Sequence, residues 1–345
     1  MGPGGPMPVD SLLRQHPDTK TVRIWVAVFM ALIPNSIGLF GQDQAPANRH
    51  FELRVAATVN ELEPDVAVRI WMPVPSTSSD QVVEVVSQSF PAEARLTSES
   101  RFGNRMMYCE TVAPESGQLA IAMTFDIRRI ELLAAEKKDF SGLGDQERKD
   151  LLGADRMVPV AGKPQEMLLN GVKLPDAAGD RARMLYDIVD NHMTYDKSHP
   201  GYGNGDVLWA CDSRTGNCTD FHSLFISLAR SQNIPAVFEI GFPLPVERGV
   251  GTIAGYHCWA KFFLDDRGWV PVDISEADKA PEMKDYYFGN LTENRVAFSR
   301  GRDIVLEPAQ TAGPLNYFVY PYVEADDQAV EKENLKLDIQ FRDLD

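Results

Sequence analysis

The chain has 345 residues, of which 44% are hydrophobic and 24% are charged, a composition typical of folded globular proteins and not of disordered ones. This length suits two domains and a targeting segment better than one average domain. The formal net charge of −16 argues against nucleic acid and anionic membrane surfaces as partners, because an acidic surface repels phosphate groups.

Residues 1–47 have the pattern of a secretory signal peptide. Lys20 and Arg23 precede an apolar run at 24–33, which Pro34 interrupts. This run is shorter than the roughly twenty residues that cross a bilayer comfortably. We therefore expect an exported protein (periplasmic, envelope-associated or secreted) with no stable membrane insertion after signal cleavage. A buried N-terminal helix is the alternative interpretation.

Residues 48–130 are expected to form a β-rich, sandwich-like domain. Alternation of apolar and polar side chains predicts strands at 51–56, 67–72 and 118–127. Proline and glycine predict turns at 73–76 and 114–117. Short strands at this spacing are typical of a small antiparallel sandwich.

The rest of the chain divides into three further segments. Residues 131–175 are predicted to be a linker that contains a helix at 131–138, and residues 176–322 are predicted to form a second domain. A charged tail at 323–345 contains one alternating stretch, which predicts an exposed strand at 335–341. Within the second domain, the periodicity of apolar residues predicts two helices and three strands. The helices are at 178–193 and 219–232, and the strands are at 236–240, 256–264 and 268–272.

Three residues of the second domain have settings suited to nucleophilic catalysis. Cys218 stands directly before a predicted helix, where free N–H groups and the helix dipole favour a thiolate and can hold an oxyanion. A thiol needs a base, for which His257 is the candidate, and the base needs an orienting carboxylate, for which Asp273 is the candidate. Singly, each residue is more often a core or capping residue, but their combination favours catalysis.

The predicted hairpin brings the second and third of these residues together. A turn at 265–267 places position 257 opposite roughly 274–276, so Asp273 lies within about one to three residues of His257 at some 3.3 Å per residue. A carboxylate at this position can reach the imidazole.

Four short motifs around these residues resemble those of the transglutaminase-like superfamily, and in particular its exported bacterial members. They are Gly-Asn-Cys-Thr-Asp-Phe at 216–221, Ile-Pro-Ala at 234–236, Tyr-His-Cys-Trp-Ala at 256–260 and Gly-Trp-Val-Pro-Val-Asp at 268–273. The resemblance implies an α+β, papain-like core in which a helix-borne cysteine packs on an antiparallel sheet. It implies that Cys218 is the nucleophile, His257 the general base and acid, and Asp273 the orienting carboxylate. Calcium activation is not implied, since the calcium-site pattern of the animal cross-linking enzymes is not apparent.

Other residues near these motifs have weaker assignments. Trp209 is the candidate for a second oxyanion donor, and Tyr195 is an alternative, although both fit better as core aromatics. His222 follows Cys218 at i+4 and is expected to have a structural role near the site.

The cysteines and histidines leave two structural alternatives open. If Cys218 is a free thiol, one disulfide is possible among Cys109, Cys211 and Cys258, and Cys211 with Cys258 would link two site-forming segments. A zinc site is the other alternative, but the spacing of its ligands is unusual for structural zinc. Its ligands would come from Cys211, Cys218, His222, His257 and Cys258. We therefore expect neither a metal nor an organic cofactor.

The predicted activity is acyl transfer at a peptide or amide carbonyl through a thioester. Hydrolysis of a peptide or protein substrate, such as cell-envelope peptide, is favoured. Cross-linking of protein glutamine by amine transfer and a catalytically silent binding module are the alternatives. No oligomeric state is predicted.

Overall fold

The computed structural model describes residues 45–133 and 142–344, and the statements below refer to these residues. The predicted signal peptide lies outside them, apart from its last three residues. Ala45–Asp345 form one compact unit. Within the described residues, no helix combines the length and the hydropathy that a membrane span needs.

Strands dominate the first part of the chain. These are β1 (Asn48–Val59), β2 (Ala67–Val74), β3 (Gln81–Ser89), β4 (Ala94–Ser98), β5 (Arg105–Val112) and β6 (Leu119–Ile130). Helices dominate the middle part, with two very short strands between them. These elements are α1 (Asp145–Leu152), α2 (Lys163–Leu168), α3 (Ala178–His192), β7 (Thr194–Tyr195), α4 (Val207–Ser213), β8 (Thr215–Gly216) and α5 (Cys218–Ser231).

The last part of the chain is again mostly strands. Its elements are β9 (Ala236–Pro243), β10 (Val250–Thr252), β11 (His257–Leu264), β12 (Gly268–Val272), the short helix α6 (Ile274–Lys279), β13 (Arg295–Arg300), β14 (Tyr322–Ala325), β15 (Gln328–Ala329) and β16 (Leu335–Asp343). The predicted α+β class is confirmed, since the larger sheets are antiparallel and the helices are few.

Two five-stranded antiparallel sheets form the sandwich. Their strand orders are β10-β16-β1-β6-β3 and β15-β14-β2-β5-β4. Alternate residues of β1, such as Phe51 and Leu53, are fully buried in one hydrophobic cluster with Val68 and Ile70 of β2. Burying each such side chain contributes about 1.5–3 kcal/mol. The alternation in the sequence therefore marks the inner faces of this sandwich.

The segment predicted as a charged tail closes the sandwich. Strand β16 pairs with β1 along its whole length, from Phe51↔Asp343 to Val59↔Leu335, and β14 pairs with β2. The predicted exposed strand is thus a central one, with Ile339 and Phe341 buried. Its alternation arises because one face covers the core while the charged face meets solvent.

Two local predictions need correction. Strand β2 continues through Pro73 and Val74, which pair with β5, although a turn is predicted there. Proline is tolerated at this point because the pairing of β2 with β14 ends at Trp71, leaving one side of the strand without a ladder. The first part of the helix predicted at 131–138 is extended, with Leu132 bridged to Leu291, and the rest lies outside the described residues.

The third large sheet is four-stranded and antiparallel, with the strand order β12-β11-β9-β13. Helix α5 packs on it, with the Phe225 ring 6.0 Å from that of Phe262. The predicted helix is confirmed, but it is buried on all sides and not along one stripe. Its polar side chains have partners in the covering segments: Gln165 of α2 binds Ser227, and the guanidinium of Arg302 binds Ser223.

Candidate active site

Cys218 is the first residue of α5, and a capping box fixes the helix start. The side chain of Asn217 accepts a hydrogen bond from the amide of Thr219 at 2.8 Å, and the carboxylate of Asp220 accepts one from the amide of Asn217 at 2.9 Å. Gly216 is required by space, since a Cβ there would lie 2.6 Å from the Cβ of Asp220. The thiol therefore sits on a rigid helix start, as the sequence predicts.

The carboxylate of Asp220 also ties the preceding loop to this helix. It accepts hydrogen bonds from the amides of Gly203 at 2.7 Å and Gly205 at 2.9 Å. Both glycines have positive φ, +84° and +61°, which other residues rarely adopt. On the opposite side, Arg302 binds the carbonyl oxygen of Asn204 at 2.8 Å. The loop at 201–205 is thus held by one buried anion and one buried cation.

His257 and Asp273 meet as the hairpin predicts. The pairing of β11 with β12 runs from Leu264↔Gly268 to Ala260↔Val272, and its continuation places 257 opposite 275, inside the predicted range. The imidazole Nε2 lies 2.7 Å from Asp273 Oδ2. Asp273 Oδ1 caps α6 by accepting from the amide of Glu276 at 3.2 Å. Helix capping therefore orients the carboxylate that holds the imidazole.

The imidazole of His257 also lies beside the thiol of Cys218, close enough for its hydrogen bonding and charge to lower the pKa of that thiol. Because Nε2 is bonded to Asp273, the other ring nitrogen, Nδ1, is the one left to face the thiol. Cys218, His257 and Asp273 are 3%, 7% and 0% exposed. The structure thus brings together all three predicted residues in a buried chain of polar contacts.

These contacts shift the acidities of the three groups. Burial alone would raise the pKa of Cys218, but hydrogen bonds from Cys258 and His257 and the charge of His257 lower it well below its usual range. Burial opposes the charge of His257, but Asp273 and Cys218 raise its pKa to about 10. Burial likewise opposes the charge of Asp273, whose pKa His257 and Arg295 hold well below its usual range. These directions favour a thiolate–imidazolium pair at neutral pH.

Cys258 provides a second thiol next to the nucleophile. Burial and the hydrogen bond with Cys218 raise its pKa well above the usual range, so it stays protonated. Its sulfur lies 3.7 Å from Thr219 Oγ1 and 3.9 Å from His222 Nδ1. A protonated thiol at this place can donate to the Cys218 thiolate.

His222 lies beside the site but binds the backbone, in agreement with its expected structural role. Its Nε2 accepts from the amide of Ile274 at 3.0 Å, and its Nδ1 lies 2.7 Å from the carbonyl oxygen of Cys218. An accepting Nε2 and a donating Nδ1 define the neutral tautomer, and burial lowers its pKa. This histidine therefore links α5 to α6 without carrying charge.

Trp209 and Tyr195 occupy different surroundings. Trp209 lies on α4, and its indole Nε1 packs against the loop at 201–205, where a Cβ on Gly201 would lie 2.7 Å away. The ring of Tyr195 lies 6.4 Å from that of Phe221, and the charge of Cys218 adds to burial in raising its pKa. For both residues an oxyanion role stays a prediction.

The proposed metal and disulfide alternatives do not match the geometry. All four cysteines are free, including Cys211 and Cys258. Among the described residues one group of donors could hold a cation, namely His257, Asp273 and Glu276. The guanidinium of Arg295 already lies 2.8 Å from Asp273 Oδ2, so a divalent cation there would meet a fixed positive charge.

Tyr256 joins the start of α5 to β11. Its hydroxyl lies 3.1 Å from Asn217 Nδ2 and 2.9 Å from Thr219 Oγ1. We expect Tyr256→Phe to lower the free energy of unfolding by about 1–2 kcal/mol, because both partners lose a hydrogen bond in a largely buried place. Thermal unfolding measures this loss. Tyr202→Phe, at a side chain that is 40% exposed, is the control and should leave the stability unchanged; equal losses would contradict the assignment.

Sequence reasoning missed two charged residues of the site. Asp220 had a signal, because a polar cap followed three residues later by an acid is the pattern of a capping box. Arg295 had none, since a single arginine at the start of a strand has no distinctive local pattern. It reaches the site only through the pairing of β13 with β9.

Comparisons with known proteins agree with this arrangement. Residues 167–274, which include Cys218, His257 and Asp273, match the model of the transglutaminase-like superfamily. An uncharacterized protein of Haemophilus influenzae is 34% identical over 176 residues, covering 42% of this chain and 48% of that protein. The chain thus spans about half the length of this relative.

Two crystal structures allow a comparison of folds. A candidate cysteine protease from Cytophaga hutchinsonii matches with a TM-score of 0.55 at 14% identity, covering 87% of this chain and 92% of that one. The periplasmic domain of TgpA from Pseudomonas aeruginosa gives a TM-score of 0.31 at 15% identity, covering 70% and 94%; this likeness is too distant to support a conclusion. The first likeness shows a shared fold. Through residues 167–274 the chain is similar to the transglutaminase-like superfamily, and its mixed α+β fold is similar to that of the Cytophaga hutchinsonii protein.

Proposed function

We propose that this protein cleaves peptide or amide bonds, with Cys218 as nucleophile, His257 as general base and acid, and Asp273 as orienting carboxylate. The observation that carries the proposal is the buried chain of contacts from the thiol through the imidazole to the carboxylate. Such a chain supplies a thiolate at neutral pH together with an imidazolium that can protonate a leaving amine.

The proposed reaction has two halves. In the first, the Cys218 thiolate bonds to the carbonyl carbon, the C–N bond breaks, and the His257 imidazolium gives its proton to the departing amine. In the second, His257 takes a proton from water, the hydroxide attacks the thioester, and the carboxylic acid leaves as the thiolate re-forms. Asp273 stays ionised throughout and stabilises the imidazolium.

The start of α5 offers a place for the oxyanion. The amides of Thr219, Asp220 and Phe221 are bonded to Asn217, which leaves the amide of Cys218 as the first-turn donor for a developing negative charge. Trp209 is our proposal for the second donor. A single donor of this kind is worth about 10²–10³ in turnover.

Hydrolysis and amine transfer share the first half and differ only in what resolves the thioester. We propose water as the acceptor and an exported peptide or protein, such as cell-envelope peptide, as the substrate class. The basic residues and apolar run at 20–33 support export. Adding a fluorescent primary amine to a thioester-forming reaction separates the two: incorporation into product indicates transfer, and its absence indicates hydrolysis.

Alkylation of the thiol tests the proposal without a known substrate. We expect iodoacetamide to add one label to the wild-type chain, at Cys218, at a rate that changes little between about pH 6 and about pH 8. This follows because the pKa of Cys218 is lowered, whereas an ordinary thiol with a pKa of about 8.5 is below ~1% thiolate at about pH 6. Intact-mass spectrometry measures the rate, which His257→Ala should reduce at least about tenfold at this pH, since one pKa unit changes the thiolate fraction tenfold.

Two variants serve as controls. Cys218→Ala should take up no label, because burial raises the pKa of Cys109, Cys211 and Cys258 and keeps these thiols protonated. His192→Ala removes a histidine that binds the carbonyl oxygen of Cys211 and should leave the rate unchanged. A wild-type rate with the pH dependence of an ordinary thiol would contradict the proposal and favour a silent binding module.

A further inference from the structure

We propose that Arg295 is a positioning residue of this site, which holds the Asp273 carboxylate against His257 and supplies the fourth charge of the catalytic array. The proposal rests on the function proposed above and adds to it a residue outside the four sequence motifs.

Arg295 contacts the same carboxylate oxygen of Asp273 that binds the imidazole of His257. Arg295 Nη1 lies 2.8 Å from Asp273 Oδ2, and the same oxygen lies 2.7 Å from His257 Nε2. The other oxygen, Oδ1, accepts from Ser275 Oγ at 3.1 Å and from the amide of Glu276 at 3.2 Å. The carboxylate therefore has four partners, of which Arg295 is the permanently charged one.

The surroundings of Arg295 hold the guanidinium in place. It is 3% exposed and lies over the ring of Trp259, 4.9 Å from the centroid. Trp259 is itself fixed, because its Nε1 donates to Glu239 at 2.7 Å and Glu239 pairs with Lys261 at 2.9 Å. A guanidinium between an aromatic face and a carboxylate has little freedom, so its charge acts at one point.

Charges alternate along the array. The thiolate of Cys218, the imidazolium of His257, the carboxylate of Asp273 and the guanidinium of Arg295 sum to zero. Without the guanidinium, the array would be a buried group with one uncompensated negative charge, which proteins accommodate only at a large cost. Arg295 thus permits three ionised catalytic groups to share one buried site.

Other titratable groups face this array, and none replaces the guanidinium. The positive charge of Arg129 lies close enough to interact with that of Arg295, but Arg129 is paired with Asp80 at 2.6 Å. His222 is neutral, with its Nε2 3.7 Å from Asp273 Oδ1. The remaining groups are an acid, phenols and a thiol, which add no positive charge. They are Glu276, Tyr186, Tyr195, Tyr286, Tyr287 and Cys258.

The test is the pH dependence of the site. Removing a cation makes the local potential more negative and raises the pKa of each acid that faces it. We expect Arg295→Met to move the alkylation profile of Cys218 and the NMR titration of the His257 imidazole to higher pH by about one unit, the size expected for one charge several ångströms away. Arg295→Lys keeps the charge and should shift both curves by less than half as much.

A structural role would give a different result. Slower alkylation at all pH values with neither curve displaced, or equal displacement in Arg295→Met and Arg295→Lys, would overturn the proposal. The His257 titration needs no reactive thiol, so a wild-type chain that fails to alkylate counts against the proposed function alone.

A third variant covers the case in which Arg295→Met does not fold. The double variant Asp273→Asn, Arg295→Met removes both charges and leaves the pair neutral. We expect it to fold and to melt at a higher temperature than Arg295→Met alone, because the single change leaves a buried carboxylate without its cation. A double variant that melts no higher than the single one would overturn the pairing of these two residues.

Discussion

Replacing Asp273 by asparagine should lower turnover about 10³–10⁴-fold, the loss that follows when a triad carboxylate becomes an amide on another fold. The amide keeps the shape of the side chain but cannot stabilise the imidazolium, whose pKa of about 10 depends on the charge of Asp273 after burial is overcome. The rate of Cys218 alkylation at about pH 6 should fall together with turnover, since the thiolate is paired with that imidazolium. Both rates are measurable on one preparation.

Glu276→Gln is the matched control for this change. Its carboxylate lies 3.8 Å from the same His257 nitrogen, but it is partly exposed and paired with Lys279. Since an exposed ion pair contributes about 0–1 kcal/mol, we expect turnover to stay within about fivefold of wild type. A larger loss in Glu276→Gln than in Asp273→Asn would reassign the orienting role to Glu276.

The same contacts make stability depend on pH at both ends of the scale. The raised pKa of His257 means that its contribution to stability is fully present below about pH 6.5 and is lost as the pH rises toward about 10. The lowered pKa of Asp273 means that its contribution to stability is fully present above the pKa that this carboxyl has in the unfolded chain. That contribution is lost as the pH falls through the lower pKa of the folded protein. His257 and Asp273 together should therefore stabilise the fold most between about pH 4 and about pH 6.5.

Short-range sequence patterns predict the helices and strands that carry Cys218, His257 and Asp273. The predicted helices at 178–193 and 219–232 begin and end within one residue of α3 and α5. One short turn predicts the register of the hairpin, whose strands lie at 256–264 and 268–272. Because Cys218, His257 and Asp273 each stand at the end of such an element, three locally predictable segments bring them together.

The remaining features depend on pairing between distant parts of the chain. Strand β16 completes a sheet begun by β1 at the other end of the chain, and alternation within 335–343 shows one apolar face but not its partner. Arg295 reaches Asp273 because β13 pairs with β9, starting at Arg295↔Pro243. Periodicity predicts that a strand exists; its neighbours are chosen by packing of the whole molecule.

Asp220→Ala should be the most damaging change to the architecture of the site. It leaves the amides of Gly203, Gly205 and Asn217 without their acceptor in a buried place. Each such loss costs about 1–3 kcal/mol, so we expect the free energy of unfolding to fall by about 3–9 kcal/mol. Burial and the charge of Cys218 raise the pKa of this carboxyl, and the three amide donors oppose that rise. Chemical denaturation measures the loss.

The matched control is Asp206→Ala, which removes a helix-capping carboxylate from α4. Asp206 Oδ1 accepts from the amides of Leu208 at 2.9 Å and Trp209 at 3.3 Å, in a more exposed place, so we expect a loss of about 1 kcal/mol. Asp220→Asn retains one acceptor oxygen and should fall between the two. In the folded fraction of Asp220→Ala, alkylation of Cys218 should also slow, because the cap that orients the thiol is broken. If both aspartates cost the same, Asp220 would be an ordinary helix cap and the loop at 201–205 would not depend on it.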